Sequence, residues 1–186
     1  ASSGSARWNI LAAYQQVIAS GGSEADAKAY LTKFFNNVVA LPGSGRDATN
    51  AFLQGSGNVL ISYENEAILA RQSGEDFDYI VPDATLKIEN PAAVLKDADP
   101  KAKAYLDFVL STAGQEEFVK KGFRPVVEGT PVGTVEGAND PAKPFPAPSK
   151  LFTIAELGGW DAVNAKFFDE NTSIVPQIQK ATGKSQ

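Results

Sequence analysis

Apolar residues recur at three- and four-residue spacing through the first twenty positions, at Trp8, Ile10, Leu11, Tyr14 and Val17. That period marks one face of a helix, which opens within Ser3–Trp8 and is stopped near Ser20 by Gly21-Gly22. Ser23 with Asp26 three residues on makes a capping-box start, Asp replacing Glu, for a second helix through Phe35. Val38–Leu41 reads as a short strand. The loop Pro42–Thr49 runs into a short helix carrying Ala51, Phe52 and Leu53, ended by Gly55-Ser56-Gly57. Asn58–Tyr63 is an apolar run of strand length, and Glu64–Ala70 starts a helix directly after it. Strand and helix alternate in this way up to Tyr79–Pro82, the pattern of a parallel α/β sheet.

Beyond Pro82 the pattern predicts extended segments at Leu86–Ile88 and Ala92–Leu95, then helices at Lys101–Leu110 and Gln115–Lys121. Residues 125–150 are rich in Pro, Gly and Val with few periodic apolar positions, which predicts a long surface loop. Leu157-Gly158-Gly159-Trp160 leads into a helix over Asp161–Asp169, and a last one covers Ile174–Ala181. No repeat, coiled coil or low-complexity tract interrupts this order.

Composition narrows the function classes. A chain of 186 residues, 43% hydrophobic and 21% charged, is globular and long enough for one domain or two small lobes. Its apolar runs fall far short of the ~20 residues that span a bilayer. It contains no methionine and opens on no signal-peptide pattern, so the expectation is a mature or excised fragment. With no cysteine and no histidine, disulfides, thiol nucleophiles, Cys/His zinc sites and Ser-His-Asp triads are all excluded. Cysteine-free composition also suits an exported protein. The net charge of −5 argues against nucleic acid or anionic membrane as partner. It does not argue against a small buried anion, which amide N–H groups and helix dipoles can hold.

Three places share that character. At Ser3-Gly4-Ser5 and at Ser44-Gly45-Arg46 small residues stand where a loop enters a helix. A helix start presents about four unpaired N–H groups and a partial positive charge. At Tyr63 a strand gives way to a helix, where open α/β sheets place ligands. Taken singly, each has a plainer reading: a Ser or Gly cap worth ~1 kcal/mol, or a half-buried core aromatic. The functional reading needs the three to converge. Glu64 and Glu66 offer carboxylates for acid–base work, but at i and i+2 they point apart, which favours solvated-face or capping roles. Gly43-Ser44-Gly45-Arg46 is not a P-loop, since no G-K-[ST] follows.

A family resemblance joins these places. Ser3-Gly4-Ser5-Ala6-Arg7-Trp8-Asn9 resembles the S-G-G-A-R-W-N segment of periplasmic sulfate- and thiosulfate-binding proteins. The stretch from Ser44 to Phe52 resembles their S-G-A-R-G-A/S-T-x-x-F, and Val59–Ala67 their V-L-I-x-W-E-N-E-A. Tyr105–Ser111 with Gly114-Gln115 and Phe123-Arg124-Pro125, then Phe152-Thr153-Ile154 and Gly158-Gly159-Trp160, are similar to later blocks of the same family in the same order.

The resemblance implies an α/β fold, periplasmic-binding-protein-like type II, lacking part of the N-terminal lobe. Residues 1–80 would form a second-lobe segment carrying the anion loops, and 81–186 the hinge crossing and C-terminal helices of the first lobe. It implies a non-enzymatic, extracytoplasmic receptor of an ABC permease for sulfate or a related oxyanion, without cofactor or metal. A missing N-terminal segment or second chain would complete it. By the same resemblance Ser3 would give its hydroxyl, Gly4, Ser5 and Gly45 their N–H groups, and Tyr63 its phenol where the family has a Trp. A phenol reaches less far and also accepts, so an anion that still carries a proton, such as hydrogen phosphate, stays open beside sulfate. Asp47 stands where the family has Gly. Arg7 and Arg46 would brace the loops by pairing with carboxylates rather than touching the anion. An anion-sensing regulatory domain on the same fold is the alternative.

Overall fold

The computed structural model describes residues 3–169 and 172–184. By contacts the chain divides into two units. The first comprises residues 1–62, 82–88 and 148–186, the second residues 63–81 and 89–147. The resemblance divides the chain once, near residue 80; by contacts the chain passes between units four times.

In the first unit, α1 (Gly4–Ala19) and α2 (Glu24–Asn36) both begin at serine caps. Ser3 Oγ accepts from the Ala6 amide at 3.2 Å. Ser23 Oγ accepts from the Asp26 amide, and the Asp26 carboxylate accepts from the Ser23 amide at 2.8 Å, closing the expected capping box. The two helices pack on each other, and Leu11, Tyr14, Ala27, Leu31 and Phe35 are all buried. α7 (Gly159–Phe167) meets this core edge-on, the Phe167 ring 4.8 Å from that of Tyr14. Lys166 beside it pairs with Glu24 at the start of α2. α8 (Ile174–Thr182) buries Val175 and Ile178 and packs on α2 and α7. The Gly158-Gly159 pair that opens α7 is left-handed at both residues (φ 92° and 85°), a reversal that side chains with a Cβ resist.

Hydrogen bonds from Ser23 hold the Asp26 carboxyl below its ordinary value of 3.8. A depressed carboxylate pKa contributes stability above its unfolded-state value, and that contribution is lost as pH falls through the folded-state value. Wild-type urea midpoints are therefore expected to drop as pH falls below 3.8, and Asp26→Asn to flatten that limb. Parallel acid limbs in the two proteins would rule the capping box out as a contributor.

The α/β expectation survives in reduced form. β1 (Ala84–Leu86) and β2 (Lys150–Phe152) pair in parallel, with Ala84 opposite Lys150 and Leu86 opposite Phe152. β1 overlaps the predicted Leu86–Ile88 segment only at Leu86, and β2 falls partly in the predicted loop. Val38–Leu41, Asn58–Tyr63, Tyr79–Pro82 and Ala92–Leu95 are not strands. Their patterns are strand-like, but a ladder needs a neighbouring strand in register, and among the described residues only β1 and β2 form one. Val39 and Val59 are accordingly 73% and 78% exposed. α3 (Gly45–Leu53) lies between the first two of these segments.

The second unit holds α4 (Glu64–Gln72), α5 (Pro100–Val109) and α6 (Thr112–Lys120). Asp99 and Ser111 cap the last two, with Pro100 at the first helical position, where its missing N–H costs nothing. Ile68 of α4 is fully buried, with Val119 of α6 and with Val135 and Ala138 of the following loop. That last contact corrects the surface-loop expectation for residues 125–150, because Val135 and Ala138 are as buried as the helical core. The loop is fastened by side chains rather than by secondary structure. Gln72 Nε2 donates to the Lys120 and Glu136 carbonyls, and Asn139 donates to both the carbonyl and the hydroxyl of Tyr79. Few periodic apolar positions are needed when polar groups do the anchoring.

Candidate functional site

The residues expected to bind occupy helix starts, as their spacing requires. Ser3 is the N-cap of α1, in extended backbone (φ −102°, ψ 156°), and Gly4 and Ser5 are its first two helical residues. Their amides are among the four that no carbonyl of the helix itself can reach. At 16 residues α1 is the longest helix described, and its first turn carries no acidic side chain to spend its dipole. A Cβ built on Gly4 would meet nothing within 4 Å. A side chain at position 4 therefore has room, while Ser5 beside it is buried.

Gly45 opens α3 in the same way, behind an N-cap Ser44 in extended backbone. Here the cap is closed by Asp47. Its amide donates to Ser44 Oγ at 3.1 Å, and the Ser44 hydroxyl donates to the Asp47 carboxylate at 2.7 Å. Asp47 therefore puts a negative charge in the first turn of α3 and occupies the Ser44 hydroxyl. Tyr63 is the N-cap of α4 and makes no side-chain cap bond.

Ser3, Gly4, Ser5 and Gly45 belong to the first unit and Tyr63 to the second. Within the first unit, Asn9 on α1 donates to the Ile61 carbonyl at 2.9 Å, fastening α1 to the stretch that ends just before Tyr63. Sequence reasoning assigned Asn9 no role, although it closes the quoted Ser3–Asn9 motif. In that same stretch the Ser62 hydroxyl is buried with no hydrogen-bond partner among the described residues. Such an orphan costs about 1–3 kcal/mol.

Two expectations need correction. Arg7 does not pair with a carboxylate among the described residues. Its guanidinium donates to Asn164 Oδ1 at 2.7 Å and lies 5.0 Å over the Phe168 ring, so a neutral amide and an aromatic face of the α7 region hold it. The planar cation suits both partners, and Asn164 carries no spacing signal by which a sequence could reveal it. Nor are Glu64 and Glu66 solvated. Glu66 is buried, and Glu64 forms a two-bond ion pair with Arg124 at 2.7 and 2.9 Å.

Two cavities lie elsewhere. One of about 650 Å³ is lined by second-unit residues including Tyr79, Val132, Lys143 and Phe145. One of about 320 Å³ lies between Lys28, Thr32 and the face of α8 carrying Ile174 and Ile178. Neither is lined by the residues expected to bind. Among the described residues no acidic cluster could hold a metal ion, and no helix is long and apolar enough to cross a membrane.

Comparison with known proteins adds independent findings. The family model for bacterial extracellular solute-binding proteins matches residues 1–124. The sulfate-binding protein of Synechococcus elongatus is 39% identical over 176 residues, covering 90% of this chain and 48% of that protein. The sulfate-binding protein of Escherichia coli is 35% identical over 190 residues, covering 96% and 55%. The thiosulfate-binding protein of Pseudomonas aeruginosa is 36% identical over 132 residues, covering 66% and 40%. The solved structure of the sulfate-binding protein SubI from Mycobacterium tuberculosis H37Rv matches with a TM-score of 0.76 and 42% identity, over 90% of this chain and 57% of that one. The chain spans about half the length of the curated relatives it matches.

Proposed function

This chain belongs to the bacterial extracellular solute-binding proteins, and from that premise we propose that it binds sulfate or a related tetrahedral oxyanion as part of an ABC importer's receptor. The observation that carries the reading is the start of α1. A serine cap in extended backbone is followed by two small residues whose amides no helix carbonyl can satisfy, with no acid in the turn to compete. The buried, unpartnered Ser62 hydroxyl beside Tyr63 supports it as a further waiting donor. On this reading Ser3, Gly4, Ser5, Gly45 and Tyr63 supply the donors. Arg7 braces α1 through Asn164. The chain acts outside the cytoplasm, delivers its ligand to a permease and catalyses nothing.

Neutral donors can hold a dianion because the amide and hydroxyl dipoles replace water already oriented, in a medium that screens them little. The carboxylate of Asp47 in the first turn of α3 is an acceptor, which favours an anion able to donate a proton. Sulfate and hydrogen phosphate are therefore tested side by side.

Sulfate is expected to raise the melting temperature, since a ligand at a hundred times its Kd adds about 2.7 kcal/mol to the folded state. Differential scanning fluorimetry with sulfate, thiosulfate, phosphate, molybdate and tungstate, against chloride at equal ionic strength, measures this. Silence across all five anions would remove the binding reading for this chain. A response to phosphate alone would reassign the ligand, and turnover of a sulfate ester would replace a binder with an enzyme.

A further inference from the structure

We propose that Arg124 is a positioning residue that masks the Glu64 carboxylate, so that an anion can be bound beside Tyr63; the inference rests on the oxyanion reading. Glu64 is the first helical residue of α4 and follows Tyr63 directly, their Cα atoms about 3.8 Å apart. A carboxylate there has two destinations. It can turn to the α4 amides, where the helix dipole attracts it and where it would repel or displace an anionic ligand. Or it can be drawn away.

The structure draws it away. Arg124 grips both Glu64 oxygens, Nε at 2.7 Å and Nη2 at 2.9 Å, with the Glu64 side chain only 17% exposed. This two-pronged geometry fixes direction as well as charge. Arg124 does not depend on Glu64 for its own placement. Nη2 also donates to the Pro146 carbonyl at 2.7 Å, and the guanidinium lies 5.4 Å over the Phe145 ring. Removing Glu64 therefore leaves the cation in place, whereas removing Arg124 leaves a bare carboxylate next to the proposed donor. A structural brace would leave the double variant as impaired as Arg124→Gln, whose contacts to Pro146 and Phe145 are lost in both. A charge mask would not.

The test is calorimetric titration of wild type, Glu64→Gln, Arg124→Gln, Arg124→Lys and the double Gln variant with sodium sulfate. Arg124→Gln is expected to weaken sulfate binding about tenfold. Glu64→Gln should match or exceed wild type, the double variant should return to within about threefold of it, and Arg124→Lys should retain most affinity. Added sodium chloride should shrink the Arg124→Gln defect by screening the exposed carboxylate. Equal losses in both single variants, or a double variant no better than Arg124→Gln, would overturn the mask. Should Arg124→Gln fail to fold, a tenfold loss in Glu64→Gln still overturns it, and unchanged affinity in Glu64→Gln and the double variant upholds it. A wild-type chain that takes up no sulfate brings down the oxyanion reading and this inference together, an outcome distinct from wild-type binding with symmetric variants.

Discussion

Replacing Gly4 with proline is expected to weaken sulfate binding by about 10- to 100-fold while leaving the fold intact. Gly4 is the first helical residue of α1, the one position where proline's missing N–H and fixed φ suit a helix. The residue before a proline must be extended, and Ser3 already is (φ −102°, ψ 156°). A Cβ at position 4 has open space. The only group subtracted is one amide donor. A hydrogen bond to a charged partner contributes about 1.5–3 kcal/mol, and each ~1.4 kcal/mol is tenfold in affinity. Stability without ligand should change by less than about 0.5 kcal/mol, and could rise through the stiffer unfolded chain. Calorimetric titration alongside urea unfolding separates the two effects. An unchanged sulfate Kd in the variant would take the α1 start out of the binding site.

A large stability loss is expected from Gly137→Ala, at roughly 2–4 kcal/mol. Gly137 has φ 80°, and a Cβ there would stand 2.5 Å from the Ile68 carbonyl oxygen and 3.1 Å from the Gln72 amide nitrogen. Left-handed backbone costs an alanine about 1–2 kcal/mol, and forcing atoms into packed space another 1–3 kcal/mol. The obstacle is helix backbone rather than a flexible side chain, so it cannot step aside. Relief would lift the loop from α4, opening the cluster of Ile68, Val119, Val135 and Ala138 and straining the Gln72 bond to Glu136. Against a typical total of 5–15 kcal/mol this is a severe loss, read as a lower urea midpoint. An unfolding free energy unchanged to within about 0.5 kcal/mol would mean that the loop does not lie on α4 in solution.

The helices were legible in the sequence because their determinants are local. The spacing of Trp8, Leu11 and Tyr14 placed α1, and Ser23 with Asp26 placed the start of α2 within a residue. Strands were less legible, since Val38–Leu41 and Asn58–Tyr63 carry strand-like patterns yet join no strand ladder among the described residues. The loop over 125–147 was misread for the opposite reason. Its burial rests on Gln72, Asn139 and Arg124, single polar side chains whose distant partners leave no periodic mark.

What the sequence determined by itself was the set of helix starts and the small residues there, because caps and amide exposure depend on neighbours three or four positions away. It also determined the family, through ordered motifs spread along the chain. Tertiary structure alone decided where the charges go. Arg7 meets an amide rather than an acid, and Glu64 is claimed by an arginine sixty positions later. Coulombic and hydrogen-bond partners are selected by distance in space, and no period along a chain encodes that distance.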